Sequence, residues 1–190
     1  RPEQCIVFYP RGAETIEYPS SSITVQRPRS IISGQFTERI NRIITTPEFL
    51  MISVEFRPGG LYRLTGLNFA ELTNSSEDAE AIFSPELAGI NSRLSGASSY
   101  EEMIMIIEEY LKVLAVRSSR PLIAADYILE GLINSGEILT VDQLSKKAYL
   151  SPRQLERKIM ERIGVCPKTF LKLSRFHKSL LMRYAHPERN

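Results

Sequence analysis

The chain has 190 residues, 43% apolar and 24% charged, with a formal net charge of +2, two His, two Cys and no Trp. That is the balance of a soluble globular protein, with room for one medium domain or two small ones. No apolar run approaches the roughly 18–20 residues of a membrane-spanning helix, and Cys5 and Cys166 lie too far apart in the chain for a zinc ribbon or a disulfide framework. A reduced, cytoplasmic protein is therefore expected. Because the chain opens on Arg1 and no signal-peptide pattern follows, it is also expected to be a fragment of something longer.

In chain order, the first third reads as short strands: Gln4 to Phe8, Glu14 to Tyr18, Ser22 to Arg27, Ser30 to Phe36 and Asn41 to Thr45. Pro10-Arg11-Gly12 and Pro19-Ser20-Ser21 punctuate them. From Phe49 to Phe56 the residues alternate, with Leu50, Ile52, Val54 and Phe56 on one face. Arg57-Pro58-Gly59-Gly60 then breaks the strand. Short strands at this spacing predict a small antiparallel barrel or sandwich.

Beyond Leu61 the pattern turns helical, although Asn68 to Glu80 is acidic and of uncertain structure. Ser84-Pro85 predicts a helix start leading to Leu94, and Ser99 to Glu102 has the spacing of a capping box. Met103, Ile106, Ile107, Tyr110, Leu111 and Leu114 then recur at helical spacing. Pro121 predicts a further helix, with Leu122, Ala125, Leu129 and Leu132 on one stripe and an end near Gly136. Both stripes are either core or a dimer face. Strands followed by helices place this part in the α+β class.

The charge is unevenly spread. Residues 1–139 hold 12 Lys/Arg and 18 Asp/Glu, whereas residues 140–190 hold 12 and 4. A basic module that meets a polyanion, or a one-signed solvated helical surface, would both look this way.

Within the basic part, Thr140-Val141-Asp142-Gln143 is a capping box opening a short helix, and Ser151-Pro152-Arg153-Gln154 opens a second that ends at Gly164. Two short helices joined by so brief a turn make a helix-turn-helix unit, whose second helix enters the major groove. With Leu155 and Ile159 turned inward, Arg153, Glu156 and Arg157 share the outward face. Arg suits guanine O6/N7 and Glu156 could accept from cytosine N4. Ser151, Gln154, Lys158, Lys168 and Thr169 are candidate backbone contacts, the last two at the start of the next helix, where free N–H groups favour an anion. The same residues would also serve as a solvated ion-pair cluster on an ordinary helical hairpin.

The stretch LTVDQLSKKAYLSPRQLERKIMERIGVCPKTFLKLSRFHKSLLM resembles the first helix-turn-helix unit of AraC/XylS-type transcription regulators. The matching elements are Leu144, Ala148, Leu150-Ser151, Leu155, Arg157, Gly164, Pro167, Phe170 and Arg175-Phe176. The resemblance implies a bacterial, cytoplasmic, sequence-specific regulator binding double-stranded DNA, with Arg153, Glu156 and Arg157 where the first recognition helix reads bases and Phe170 to Tyr184 on the helix joining two such units. Tyr149 stands where the family often has Gly, Ile159 where Phe is common and Cys166 where Ser usually caps. The family carries two units, and this chain stops at Asn190, where the second should begin.

More diffusely, Pro2 and Phe56-Arg57-Pro58-Gly59-Gly60 with the helical tail resemble the cupin-like domain found ahead of such units in some bacterial regulators. This implies residues 1–136 as a sensor or dimerisation domain and 137–190 as the DNA-binding domain. A small-molecule effector and a homodimer through the helices of 100–135 would follow.

The inventory argues against an enzyme. His177 and His186 are both C-terminal, so a metal-binding barrel is not written, and no phosphate-binding or nucleophile motif appears. No cofactor, metal or membrane is expected. Among Lys172, Arg175 and Lys178, His177 suits surface or phosphate contact, and Cys166 before a helix start is either a low-pKa thiol or an inert one. Arg57 is either a ligand-pairing residue at a barrel mouth or an exposed turn residue. A ligand-responsive interaction module with a non-specific basic surface is the competing functional class.

Overall fold

β-Branched and aromatic residues ahead of Pro58 form six strands: β1 (Gln4–Arg11), β2 (Glu14–Tyr18), β3 (Ile23–Gln26), β4 (Ser30–Ser33), β5 (Asn41–Ile44) and β6 (Leu50–Phe56). A seventh, β7 (Ser76–Asp78), lies in the stretch whose structure the sequence left open. The computed structural model describes residues 4–44, 46–83, 85–118, 120–135 and 139–186.

The strands make two sheets, not the closed barrel expected. One has the order β6-β1-β4-β7, with β1 antiparallel to β4 (Cys5 opposite Ser33, Phe8 opposite Ser30) and β4 antiparallel to β7. The other has the order β3-β2-β5, both pairs antiparallel, so that Ile16 lies between Val25 and Arg42. Closure would need a continuous ladder. The edge strands are β6 and β7 in one sheet and β3 and β5 in the other, and among the described residues no ladder joins an edge of one to an edge of the other. The α+β class holds: the sheets are followed by helices.

Contacts define two compact units that interleave along the chain: 5–55 with 74–119, and Gln4 with 56–73 and the described residues from 120 onward. The first contains both sheets and the helices α2 (Ala79–Phe83), α3 (Glu86–Gly96) and α4 (Tyr100–Arg117), while α1 (Gly60–Thr65) belongs to the second. Its core includes Ile6, Phe8, Ile32, Leu87, Leu94 and Met103, each essentially inaccessible, and every such side chain contributes about 1.5–3 kcal/mol of burial. Asn91 on α3 donates to Ser30 Oγ at 2.8 Å and to Glu80 Oε1 at 2.6 Å, which ties the helices to β4. α3 takes Pro85 as its N-cap, and Ser84 lies outside the described residues. The box expected at Ser99–Glu102 is closed from one side: Ser99 Oγ accepts from Glu102 N–H, but the Glu102 carboxylate accepts from Ser98 instead. Met103, Ile106, Ile107, Tyr110 and Leu114 form the buried stripe of α4.

The second unit is helical: α1, a 3-10 turn at Phe69–Leu72, α5 (Ala124–Ser135), α6 (Val141–Lys147), α7 (Pro152–Ile163) and α8 (Pro167–Ala185). Its core gathers Ala125, Leu129, Leu132, Leu144, Leu155, Ile159, Ile163 and Phe170. α5 begins three residues later than Pro121 led one to expect, and Leu122 is exposed. The Asp126 carboxylate accepts from the Ile123 N–H at 3.0 Å, so the chain from Pro121 to Ile123 is held outside the helix. Gly136, where its end was expected, lies outside the described residues. Among the described residues no helix is long and apolar enough to cross a membrane.

Candidate nucleic-acid interface

The interface is built on α6 and α7, and both begin as their sequences require. Thr140 Oγ1 accepts from Gln143 N–H at 3.2 Å while Gln143 Oε1 accepts from Thr140 N–H at 2.8 Å. Ser151 and Gln154 repeat the arrangement at 3.3 and 2.9 Å, with Pro152 supplying the fixed φ of the first helical residue. Four otherwise orphaned backbone donors are thereby satisfied, two at each helix start.

The turn between them carries strain at a named residue. Leu150 N–H bonds to the Ser145 carbonyl and Tyr149 N–H to the Lys146 carbonyl, the two closures of a Schellman motif. This motif needs a left-handed residue, and Tyr149 adopts φ 54° with its ring almost fully exposed. Only Gly takes that conformation without a Cβ penalty, so Tyr149 holds strain there.

Along α7, Leu155, Ile159, Arg162 and Ile163 are buried, and Arg153, Gln154, Glu156 and Arg157 are exposed. Ser151, Arg153, Gln154, Glu156 and Arg157 line one open concavity of about 570 Å³, together with Met160, which the sequence reading did not single out. Lys158 is half-buried at the edge of the exposed face. Gln154 is partly committed: its side-chain oxygen serves the capping box, so its amide NH₂ is what remains for a phosphate. At the start of α8, Lys168 is exposed, while the half-buried Thr169 hydroxyl lies 3.3 Å from Cys166 Sγ. Cys166 occupies the N-cap position of α8, and the Thr169 hydroxyl chiefly pulls its thiol pKa below the ordinary value, against the opposing effect of burial.

Arg162 is the residue the sequence reading missed. It falls seven positions after Leu155 and three after Ile159, on the inward face, so periodicity alone marks it as a charge needing a partner. That partner is Asp126 on α5. Tyr62 on α1 lies under the Arg162 guanidinium, 4.5 Å from ring centroid to Cζ, and donates from its hydroxyl to Glu161 at 2.6 Å. Thr73 Oγ1 donates to the Gly164 carbonyl at the end of α7, and Gln4 Nε2 donates to the Arg162 carbonyl at 2.8 Å. Gly164 has φ 88°, and a Cβ there would stand 2.5 Å from the Phe69 carbonyl oxygen. The C-terminal half of α7 is thus gripped from its inner side, which leaves the N-terminal half to present side chains outward.

Arg57, read as a candidate ligand contact at a barrel mouth, lies in the helical unit. It is exposed and pairs with Glu130 at 2.8 Å; with no closed barrel there is no mouth for it to line.

A family model described as a domain of unknown function, DUF6597, matches residues 5–78. The matched stretch runs from the second residue of β1 to the last of β7, so it takes in both sheets along with α1 and the 3-10 turn. Neither the curated proteins nor the solved structures contain a match to the chain.

Proposed function

We propose that the chain is a sequence-specific DNA-binding transcription regulator of the AraC type, with α7 as the helix that reads base edges in the major groove. The observation that carries this reading is the division of α7 into a buried face held by Arg162–Asp126 and an exposed face bearing Arg153, Glu156 and Arg157. The basic excess of residues 140–190 and the family resemblance of 139–182 support it. Arg153 and Arg157 take the base-reading role, Glu156 accepts from a cytosine amino group, and Ser151, Gln154, Lys158, Lys168 and Thr169 hold phosphates. The strand-rich unit senses a small molecule or dimerises. Dimer contact through the helices of 100–135 is supported by Ile104, Met105, Val113 and Val116, all exposed on α4. The reading assigns the protein to the cytoplasm and gives it no enzymatic activity, metal or cofactor. Its test is a duplex-binding titration in which Arg153→Ala and Arg157→Ala reduce preference for one sequence over random DNA.

A protein-interaction module with a non-specific basic surface is the second reading. It is supported by the exposed Phe176, Leu181, Met182 and Tyr184 on α8. Salt separates the two: phosphate contacts give log K a slope of about −0.9 per neutralised phosphate against log salt, and apolar contacts do not.

A further inference from the structure

At the start of β2, Glu14 is buried and both of its carboxylate oxygens are committed. Oε2 accepts from the Tyr9 hydroxyl at 2.5 Å, and Oε1 accepts from Arg42 Nε. Arg27 stands beside it in the pairing register: it continues β3 past Gln26, and its backbone N–H donates to the Glu14 carbonyl at 2.8 Å. Arg27 is 8% exposed, and its Nε is buried with no hydrogen-bond partner. The Nη2 of Arg42 faces the Met51 thioether at 3.0 Å, a weak acceptor for a guanidinium.

The charges in this cluster do not balance. The half-exposed Arg42 bonds to the one carboxylate, the buried Arg27 has no acceptor at its Nε, and Tyr9 stays neutral because burial and its bond to Glu14 hold its proton well above the ordinary phenol range. A guanidinium is always charged, so it cannot escape the cost of burial by losing a proton. What the cluster lacks is one monovalent acceptor. Beside it the half-buried Phe49 and Met51 pack on the buried Val7, Tyr9 and Ile31, with the Tyr9 and Phe49 ring centroids 6.2 Å apart.

We propose that Arg27 and Arg42 form a binding site for a small organic carboxylate whose apolar body lies against Tyr9, Phe49 and Met51. A planar carboxylate matches the donor fork of an arginine and brings the single negative charge the cluster lacks. A phosphate dianion would bring two, beside the Glu14 carboxylate. The site lies wholly within the strand-rich unit, so binding is independent of α7; that the carboxylate acts as an effector of DNA reading rests on the regulator reading above.

The test is thermal unfolding of the full chain in rising sodium propanoate, with sodium chloride, propanamide and inorganic phosphate as parallel series at matched ionic strength. Propanoate is expected to raise Tm by about 2–4 °C, the rise growing with the logarithm of its concentration once the site fills, while chloride and the neutral propanamide leave it unchanged and R27Q abolishes the response. Equal effects of propanoate and propanamide, a response only to phosphate, or an undiminished response in R27Q would each overturn the assignment. Should R27Q not fold, as read by circular dichroism, the contrast between propanoate and propanamide on the unaltered chain decides. No DNA enters this readout, so a failed regulator reading leaves the outcome interpretable. If propanoate binds and DNA affinity does not change, the site stands without the effector role.

Discussion

Arg162 and Asp126 form a doubly hydrogen-bonded ion pair, Nε to Oδ1 at 2.8 Å and Nη2 to Oδ2, with the two residues 6% and 2% exposed. The pair joins the inner face of α7 to the first turn of α5, and the Tyr62 ring closes it from below. Gly59 makes room: it adopts φ 74°, and a Cβ there would come within 2.3 Å of Asp126 Oδ1. The exposed face of α7 is therefore aimed by a charge on its opposite face.

Removing one partner leaves the other charged and buried. Asp126→Ala is predicted to destabilise the protein by about 3–5 kcal/mol, read as a lower midpoint in urea. The double substitution Asp126→Leu with Arg162→Met should cost less than the sum of the two single changes, since both charges leave together. Additive costs would show that the two side chains do not act as a pair.

Tyr149 pays for its left-handed backbone and buries nothing in return. Tyr149→Gly is predicted to stabilise the chain by about 1 kcal/mol, net of the entropy glycine adds to the unfolded state. A rise in the urea midpoint at constant m-value would establish it. A fall would mean that the exposed ring makes a contact that outweighs the strain.

The thiol of Cys166 is held below its ordinary pKa, chiefly by the Thr169 hydroxyl. A lowered pKa places more thiolate at any given pH below it, so alkylation by iodoacetamide should set in at lower pH than for a free cysteine. In a Cys5→Ser background, Thr169→Val should move that onset upward. An unchanged profile would remove the hydroxyl as the cause.

How much of this could be read from the sequence depended on how local the cause was. The bounds of α7 agree at both ends because Ser151, Pro152, Gln154 and Gly164 each act within a few residues. β2 matches residue for residue, and β3 and β6 within one residue at each end, because alternation and flanking turns are local as well. Sheet closure is not local. That β1 pairs with β4 while β2 pairs with β3 and β5 depends on partners far along the chain, and a barrel and two open sheets share one alternation pattern. The same holds for the packing of 56–73 with the C-terminal helices: Tyr62, Phe69 and Thr73 carry no mark of a partner about ninety residues away. Arg162 was half legible, since its position on the apolar face could be counted but the identity of Asp126 could not. The later start of α5 follows from that same carboxylate.

The most direct measurement is a fluorescence anisotropy titration of the protein, at several salt concentrations, against duplex from upstream of its own gene and against random duplex. The account predicts a clear preference for the first, a further loss of about 1–3 kcal/mol of discrimination for each of Arg153→Ala and Arg157→Ala, and a smaller change in the salt slope. Equal binding of both duplexes by the unaltered protein and the double variant, with a salt slope alone, would contradict it and leave α7 as a basic surface.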